Sequence, residues 1–184
     1  MKLRDHTAFR LGAWVGIFML FGCAAEPLMR EEPPVRENPP WQLMSSGAHE
    51  TADGRTFYGI GQAQGSHSEI LLRATAINRA REALAKVLER YAAELLQAAQ
   101  TLPALSVEEG EQLTGGLVRD AMALSVISAQ SYDPGRGRLY TLCRLDLSRF
   151  KQVLAARTTL PADLRAAMAR EAEWVHAMMV KSDQ

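Results

Sequence analysis

Cysteine is scarce in this chain: Cys23 and Cys143 are the only two in 184 residues. A small fold stapled by several disulfides is therefore excluded. No excess of one charge sign builds up, because 21 Lys and Arg stand against 21 Asp and Glu. Nucleic-acid-binding proteins normally carry a basic face, so no nucleic-acid partner is expected. Long apolar runs are missing too. The best, Leu11 to Gly22, is about 12 residues, short of the roughly 20 that span a bilayer. Beyond the first residues the histidines are His49, His67 and His176. They are scattered without metal-ligand spacing, so no metal is expected. There is no GxSxG sequence, and no GK[ST] follows Gly59-Ile60-Gly61. No acidic residue ends a second strand about 20 residues further on, so this glycine segment reads as close backbone packing, not a phosphate loop. Carboxylate pairs such as Glu108-Glu109 and Glu171 with Glu173 read as solvated helix faces.

What is present begins with the first 22 residues. Lys2, Arg4 and Arg10 precede the apolar run, and the small residues Ala24 and Ala25 follow it. Basic start, short apolar stretch and small residues together read as a cleavable secretion signal over residues 1–22. Leu20-Phe21-Gly22-Cys23 resembles the lipobox of bacterial lipoproteins. That resemblance implies a diacylglyceryl group on the Cys23 sulfur, cleavage before it, and acylation of the new amine. Several acyl chains make a stable anchor where one holds only marginally. Ala24 stands where Asp would retain such a protein in the inner membrane, which implies a lipid-anchored outer-membrane protein, on its periplasmic or surface face. With Cys23 lipidated, Cys143 has no disulfide partner within the chain, and its apolar strand pattern makes it a small buried residue.

Residues 23–40 contain Pro27, Pro33, Pro34, Pro39 and Pro40 among charges. Such a stretch has little to bury and reads as a Pro-rich tether. The folded domain is expected over 41–184. Arg55 to Gln62 has the composition of a first strand. Ser66 and Glu69 have capping-box spacing, and so do Ser106 and Glu109. Between Glu69 and Thr101 there is no Gly or Pro. Ile70, Ala74, Ile77, Leu84, Leu88, Tyr91 and Leu95 fall on helical steps there, predicting one long helix with its seam along those residues. It could be kinked, or it could project and pack on a neighbouring subunit. A short helix after Ser106 is expected to stop or break at Gly115-Gly116. Alternation from Ala121 to Tyr132 and from Arg138 to Leu147, around Asp133-Pro134-Gly135, predicts a hairpin. Ser148 can cap a helix to about Ala156, and Pro161 opens a final helix to about Met179. The expected fold class is α+β: a small, mostly antiparallel three-stranded sheet, one strand plus a β-hairpin, covered by helices and closed by a C-terminal helix.

Pro40-Trp41, Tyr58-Gly59-Ile60-Gly61, Ala76, Ala80-Arg81 and Leu84, and Leu139 through Asp146 recur in an order and spacing that resembles the lipoprotein-twenty family of bacterial outer-membrane lipoproteins. That family includes flagellar outer-membrane assembly lipoproteins. The resemblance spans most of residues 41–147 and leaves out the C-terminal helix. It implies an envelope structural or assembly protein that works by self-association and partner binding, without catalysis and without a cofactor. The partners it implies are the membrane, through the N-terminal lipid, and further copies or other envelope proteins. Trp41, Tyr58, Gly59, Gly61, Arg81 and Tyr140 are the candidate packing and assembly residues. Arg81 is expected in a helix-surface or helix-to-sheet salt bridge, with Asp146 as the candidate partner. The alternative function is a periplasmic binding module for a glycan, lipid or peptidoglycan ligand, which would need an exposed pocket near Trp41, Tyr58 and Tyr140.

Overall fold

The computed structural model describes residues 39–65, 67–99 and 106–183. The expected signal segment, Cys23, most of the tether, Ser66 and Thr101 lie outside the described residues.

Strands β1 (Gly47–Thr51), β2 (Gly54–Gln64), β3 (Val126–Asp133) and β4 (Arg138–Asp146) form one antiparallel sheet in the order β1-β2-β4-β3. The sheet therefore has four strands, not the three expected. The missed strand is β1, whose Gly-Ala-His-Glu-Thr sequence alternates too weakly to stand out. Its two-residue turn is Ala52-Asp53, with Thr51 paired to Gly54, and Gly54, the first residue of β2, takes a φ of 117° that other residues avoid.

Helices α1 (Glu69–Ala99), α2 (Val107–Ala123), α3 (Leu147–Ala156) and α4 (Ala162–Ser182) complete the described residues. Phe57 faces Tyr91 of α1, Phe150 of α3 and His176 of α4, so these three helices pack on one face of the sheet, with α2 beside α1. The rings of Phe57, Tyr91, Phe150 and His176 lie 4.7 to 6.4 Å apart and none of the four is exposed. The Tyr91 hydroxyl donates to the Ala172 carbonyl at 2.9 Å. That bond satisfies the one polar atom this large side chain carries inside, while burial raises its phenol pKa well above the ordinary value.

The long helix has 31 residues, about 46 Å at 1.5 Å per residue. Its seam departs from the expected one over the first turns. Ile70 and Leu71 are 83% and 59% exposed, and Ala76 and Ala80 are buried in their place. The cause lies on β2. A Cβ placed on Gly59 would come closer than 3.0 Å to the Ala80 carbonyl oxygen and the Leu84 nitrogen. One placed on Gly61 would do the same to Ala76 and Ala80. The helix backbone thus rests on the strand backbone, with Ala76, Ala80 and Leu84 at the contact. From Leu84 onward the expected seam of Leu84, Leu88, Tyr91 and Leu95 is buried.

Several boundaries also differ. Helix α2 runs through Gly115-Gly116 to Ala123, and β3 starts only at Val126. Leu117, Val118 and Ala121 are buried at helical spacing, and that packing outweighs the glycines' low propensity. Ser106 caps α2 in a full capping box with Glu109; the backbone and side-chain hydrogen bonds from Ser106 lower the Glu109 carboxyl below its ordinary range. Helix α3 begins at Leu147 after Asp146, two residues ahead of the position Ser148 implied. Pro161 is the N-cap of α4, which continues to Ser182.

Substituting Gly61→Ala should destabilise the domain by about 2–3 kcal/mol or more, because a rigid backbone contact must open. Gly115→Ala should stabilise by about 0.5–1 kcal/mol, since this helical site is open and alanine orders at lower entropic cost. Urea midpoints of the two variants against the parent chain test both signs.

Candidate functional site

The sheet face away from the helices collects most of the residues singled out from sequence. Residues opposite each other in an antiparallel pair share a face. Tyr58 stands opposite Arg144, Ile60 opposite Leu142, and Gln62 opposite Tyr140, all on the face turned from Phe57. Tyr58 stacks on His49 with centroids 4.9 Å apart. Tyr140 lies under the Arg138 guanidinium at 6.0 Å, and Arg138 also donates to the Gln62 and Gln64 side chains. The two tyrosines are four residues apart along the ladder, about 13 Å, with Ile60 and Leu142 between them. Both are 8% exposed, so they do not form one open stacking platform.

A strap crosses this face. Trp41 and Gln42 belong to a short 3-10 turn, Pro40–Leu43. Gln42 Nε2 donates to Ser131 Oγ at 2.8 Å, and Ser131 is the register partner of Tyr140. Ser46 Oγ accepts from the Ile60 N–H at 2.9 Å. The segment between those anchors therefore passes from β3 over β4 to β2. Trp41 is half-buried on it.

Gly59 and Gly61 lie on the opposite, helix-covered face, where they hold α1. Arg81 belongs to neither group. It is exposed on α1 and forms no ion pair among the described residues. Asp146, its expected partner, lies with Arg144 on the sheet face turned away from α1 and accepts from Arg144 Nε at 2.7 Å. Cys143 is buried opposite Gly59. Burial pushes its thiol pKa up, with a Ser125 hydrogen bond opposing, which makes it a packing residue and a poor nucleophile.

Two surface grooves carry charge. One, of about 540 Å³, is bordered by Glu50, Asp53, Arg55, Asp146, Lys151 and Glu173. Arg55 pairs with Glu173 and with Glu50, and Lys151 Nζ meets Glu173 at 2.9 Å. Asp53 and Asp146 share Arg144. Glu173, expected as a free solvated carboxylate, is therefore tied to two cations. Every cation here is paired, and even with Arg144 counted the four carboxylates outnumber the three cations by one. The other groove, about 380 Å³ between α2 and α3, is bordered by Leu124 and Val153 and closed by the Asp120–Arg157 pair at 2.5 Å. Among the described residues no three His, Cys, Asp or Glu side chains converge as a metal cluster would.

Two open surfaces lie outside the candidate residues. Strand β3 is an outer strand with no strand on its other side among the described residues, and Val126, Ile127, Ser128 and Ala129 are all half-exposed. The opposite edge is different: the β1 Ala48 N–H donates to the Asp183 carboxylate at 3.0 Å. The second open surface is the outer side of α4, where Trp174 and Met178 are exposed. Their four-residue spacing, off the Leu164–Met168–Val175–Met179 stripe, was the available signal.

No protein-family model and no curated protein matches this chain.

His176 sets a pH dependence. Its Nε2 carries the proton, because it lies 3.1 Å from the Thr56 carbonyl, and its Nδ1 is buried without a partner. Burial lowers its pKa, the Thr56 hydrogen bond opposes this, and Arg55 adds to the lowering. Glu50 and His49 act on it more weakly. The unfolded chain takes up this proton near pH 6.5 and the folded chain only below that. The contribution to stability is complete above about pH 6.5 and is lost as pH falls through the folded value. Urea midpoints should therefore drop below about pH 6.5, and His176→Gln should remove that part of the slope.

Proposed function

We propose that this chain is a lipid-anchored envelope protein, held in the outer membrane through Cys23, whose domain acts in assembly by self-association and partner binding. The resemblance to the lipoprotein-twenty family suggests a role in flagellar or other surface-structure assembly. The observation that carries the assembly reading is the open edge of β3 over residues 126–129. Exposed edges invite pairing with another chain, and proteins commonly block them with lysine, proline or a covering element. Val126–Asp133 has neither Lys nor Pro, and no helix packs extensively on it. A bulge at Ser128 lies within the half-exposed part, Val126 to Ala129; beyond it Gln130 and Ser131 are buried, Ser131 held by Gln42 of the strap. The edge on β1, by contrast, is engaged by Asp183. An incoming strand would find one side of the sheet available and the other taken.

Two measurements test this. Cys23→Ser should abolish incorporation of labelled palmitate and release the protein from the envelope fraction; a membrane-bound variant carrying no acyl chain would refute the anchor. Ser128→Lys should deplete crosslinked multimers in the envelope while leaving the melting temperature within a few degrees, since the side chain is at an open edge. Multimers at undiminished yield would rule out β3 as the contact.

A further inference from the structure

Along α4, Arg170, Trp174 and Met178 follow one another at four-residue steps. Ala166 precedes them, Ala177 and Lys181 flank them, and the whole stripe faces away from the buried Leu164, Met168, Val175 and Met179. Trp174 is 57% and Met178 46% exposed. Among the described residues neither Arg170 nor Lys181 makes an ion pair. The acids nearby are mostly committed. Glu173 is held by Arg55 and Lys151, and the Asp163 carboxylate accepts from the Leu164 N–H at the helix start. Glu171 remains on the shoulder of the stripe. An indole and a thioether are thus presented to solvent with two unpaired cations alongside.

We propose that this stripe of α4 docks on the anionic phospholipid surface of the membrane to which the chain is anchored. The inference rests on the membrane anchoring proposed above. Tryptophan partitions to the level of lipid headgroups, where its ring is apolar and its N–H remains wet. Arg170 and Lys181 can lay their stems along the same surface and place their charges on lipid phosphates. A second copy of the chain fits less well. Trp174 and Met178 together offer on the order of 200 Å² of side-chain surface, against about 800 Å² per partner in a stable protein interface. A membrane contact has no such threshold here, because the anchor supplies it with a high local concentration of lipid. Covalent geometry limits the reach from Cys23 to Pro39 to about 50 Å, so the domain never leaves the neighbourhood of the bilayer.

The test uses the full chain with Trp14→Phe and Trp41→Phe, which leaves Trp174 as its only tryptophan. The protein is purified from the cell envelope in detergent and reconstituted into phosphatidylethanolamine–phosphatidylglycerol vesicles, with and without bromine on the acyl chains. Brominated chains should quench Trp174 strongly. Arg170→Gln with Lys181→Gln should weaken the contact on the order of tenfold, removing most of the quenching, as should replacement of phosphatidylglycerol by phosphatidylcholine. Trp174 emission indifferent to bromine overturns the proposal. Quenching that survives both the loss of the two charges and the neutral lipid overturns the anionic-surface assignment. Shielding of Trp174 from acrylamide that rises with protein concentration and not with lipid assigns the stripe to a second copy, and also overturns it. Mass spectrometry of the Cys23 peptide reports separately on the anchor. An unmodified Cys23 together with charge-dependent quenching removes the lipid anchor and leaves the α4 contact standing.

Discussion

The backbone-to-backbone contact between α1 and β2 is the constraint from which the rest of this domain follows. Gly59 and Gly61 remove side chains from the strand, and Ala76 and Ala80 minimise them on the helix. On β4, the residues opposite the two glycines are Cys143 and Thr141, which are also small. Together they make a shallow channel in which the helix lies. Further along the same face the residues enlarge to Phe57 and Leu145, which pair with each other. The gap between helix and sheet must widen in that direction. Tyr91, Phe150 and His176 fill it. A taper of side-chain size across one sheet face therefore sets both where α1 sits and where the aromatic core can form.

The two faces of the sheet are used differently. On the helix face the Tyr91 hydroxyl bonds to Ala172 and His176 Nε2 to Thr56, while His176 Nδ1 and Gln130 Oε1 are buried without a partner. On the other face, long cations lie across the strands: Arg138 over Tyr140 and Arg144 between Asp53 and Asp146. Exposed pairs of this kind contribute little stability each. The Arg144 pairs tie the end of the inner strand β4 to the turn between β1 and β2. The strap from Pro40 to Ser46 lies on this second face, so the chain entering the domain arrives on the side opposite the helices.

Sequence patterning revealed the elements with strong periodicity and strong end signals. The long helix from Leu84 on, the Ser106–Glu109 capping box and the hairpin around Pro134-Gly135 were legible because each is decided by local chemistry. The misses came where tertiary contact decides. Ile70 and Ala74 fit the helical period as well as Ala76 and Ala80 do, and only the proximity of β2 selects the alanines. Gly115-Gly116 would end an isolated helix, yet α2 continues because Leu117 and Ala121 are buried against its neighbours. Strand β1 has little hydrophobic alternation of its own and depends on pairing with β2. Of the candidate residues, Tyr58, Tyr140 and Trp41 share one face and the two glycines share the other. Arg81 joins neither, since it lies on the solvent side of α1 and Asp146 is on the far face of the sheet. Trp174 could have been seen on a helical projection of residues 162–182.

Asp183 closes the fold in a way that bears on how it is made. Its carboxylate accepts from the Ala48 N–H, 135 residues away in sequence, and pairs with Arg90 at 2.6 Å. The bond joins the first strand to residues translated long after it. Until those residues emerge, Ala48 has no such acceptor and the edge of β1 is as open as that of β3. Contacts this distant in sequence form late, because a long loop must be closed before they give any return. The nascent domain therefore passes through a stage with both sheet edges unguarded, and the last turn of α4 ends it. Truncation a few residues before Asp183 would prolong that stage indefinitely, turning a one-edged protein into a two-edged one.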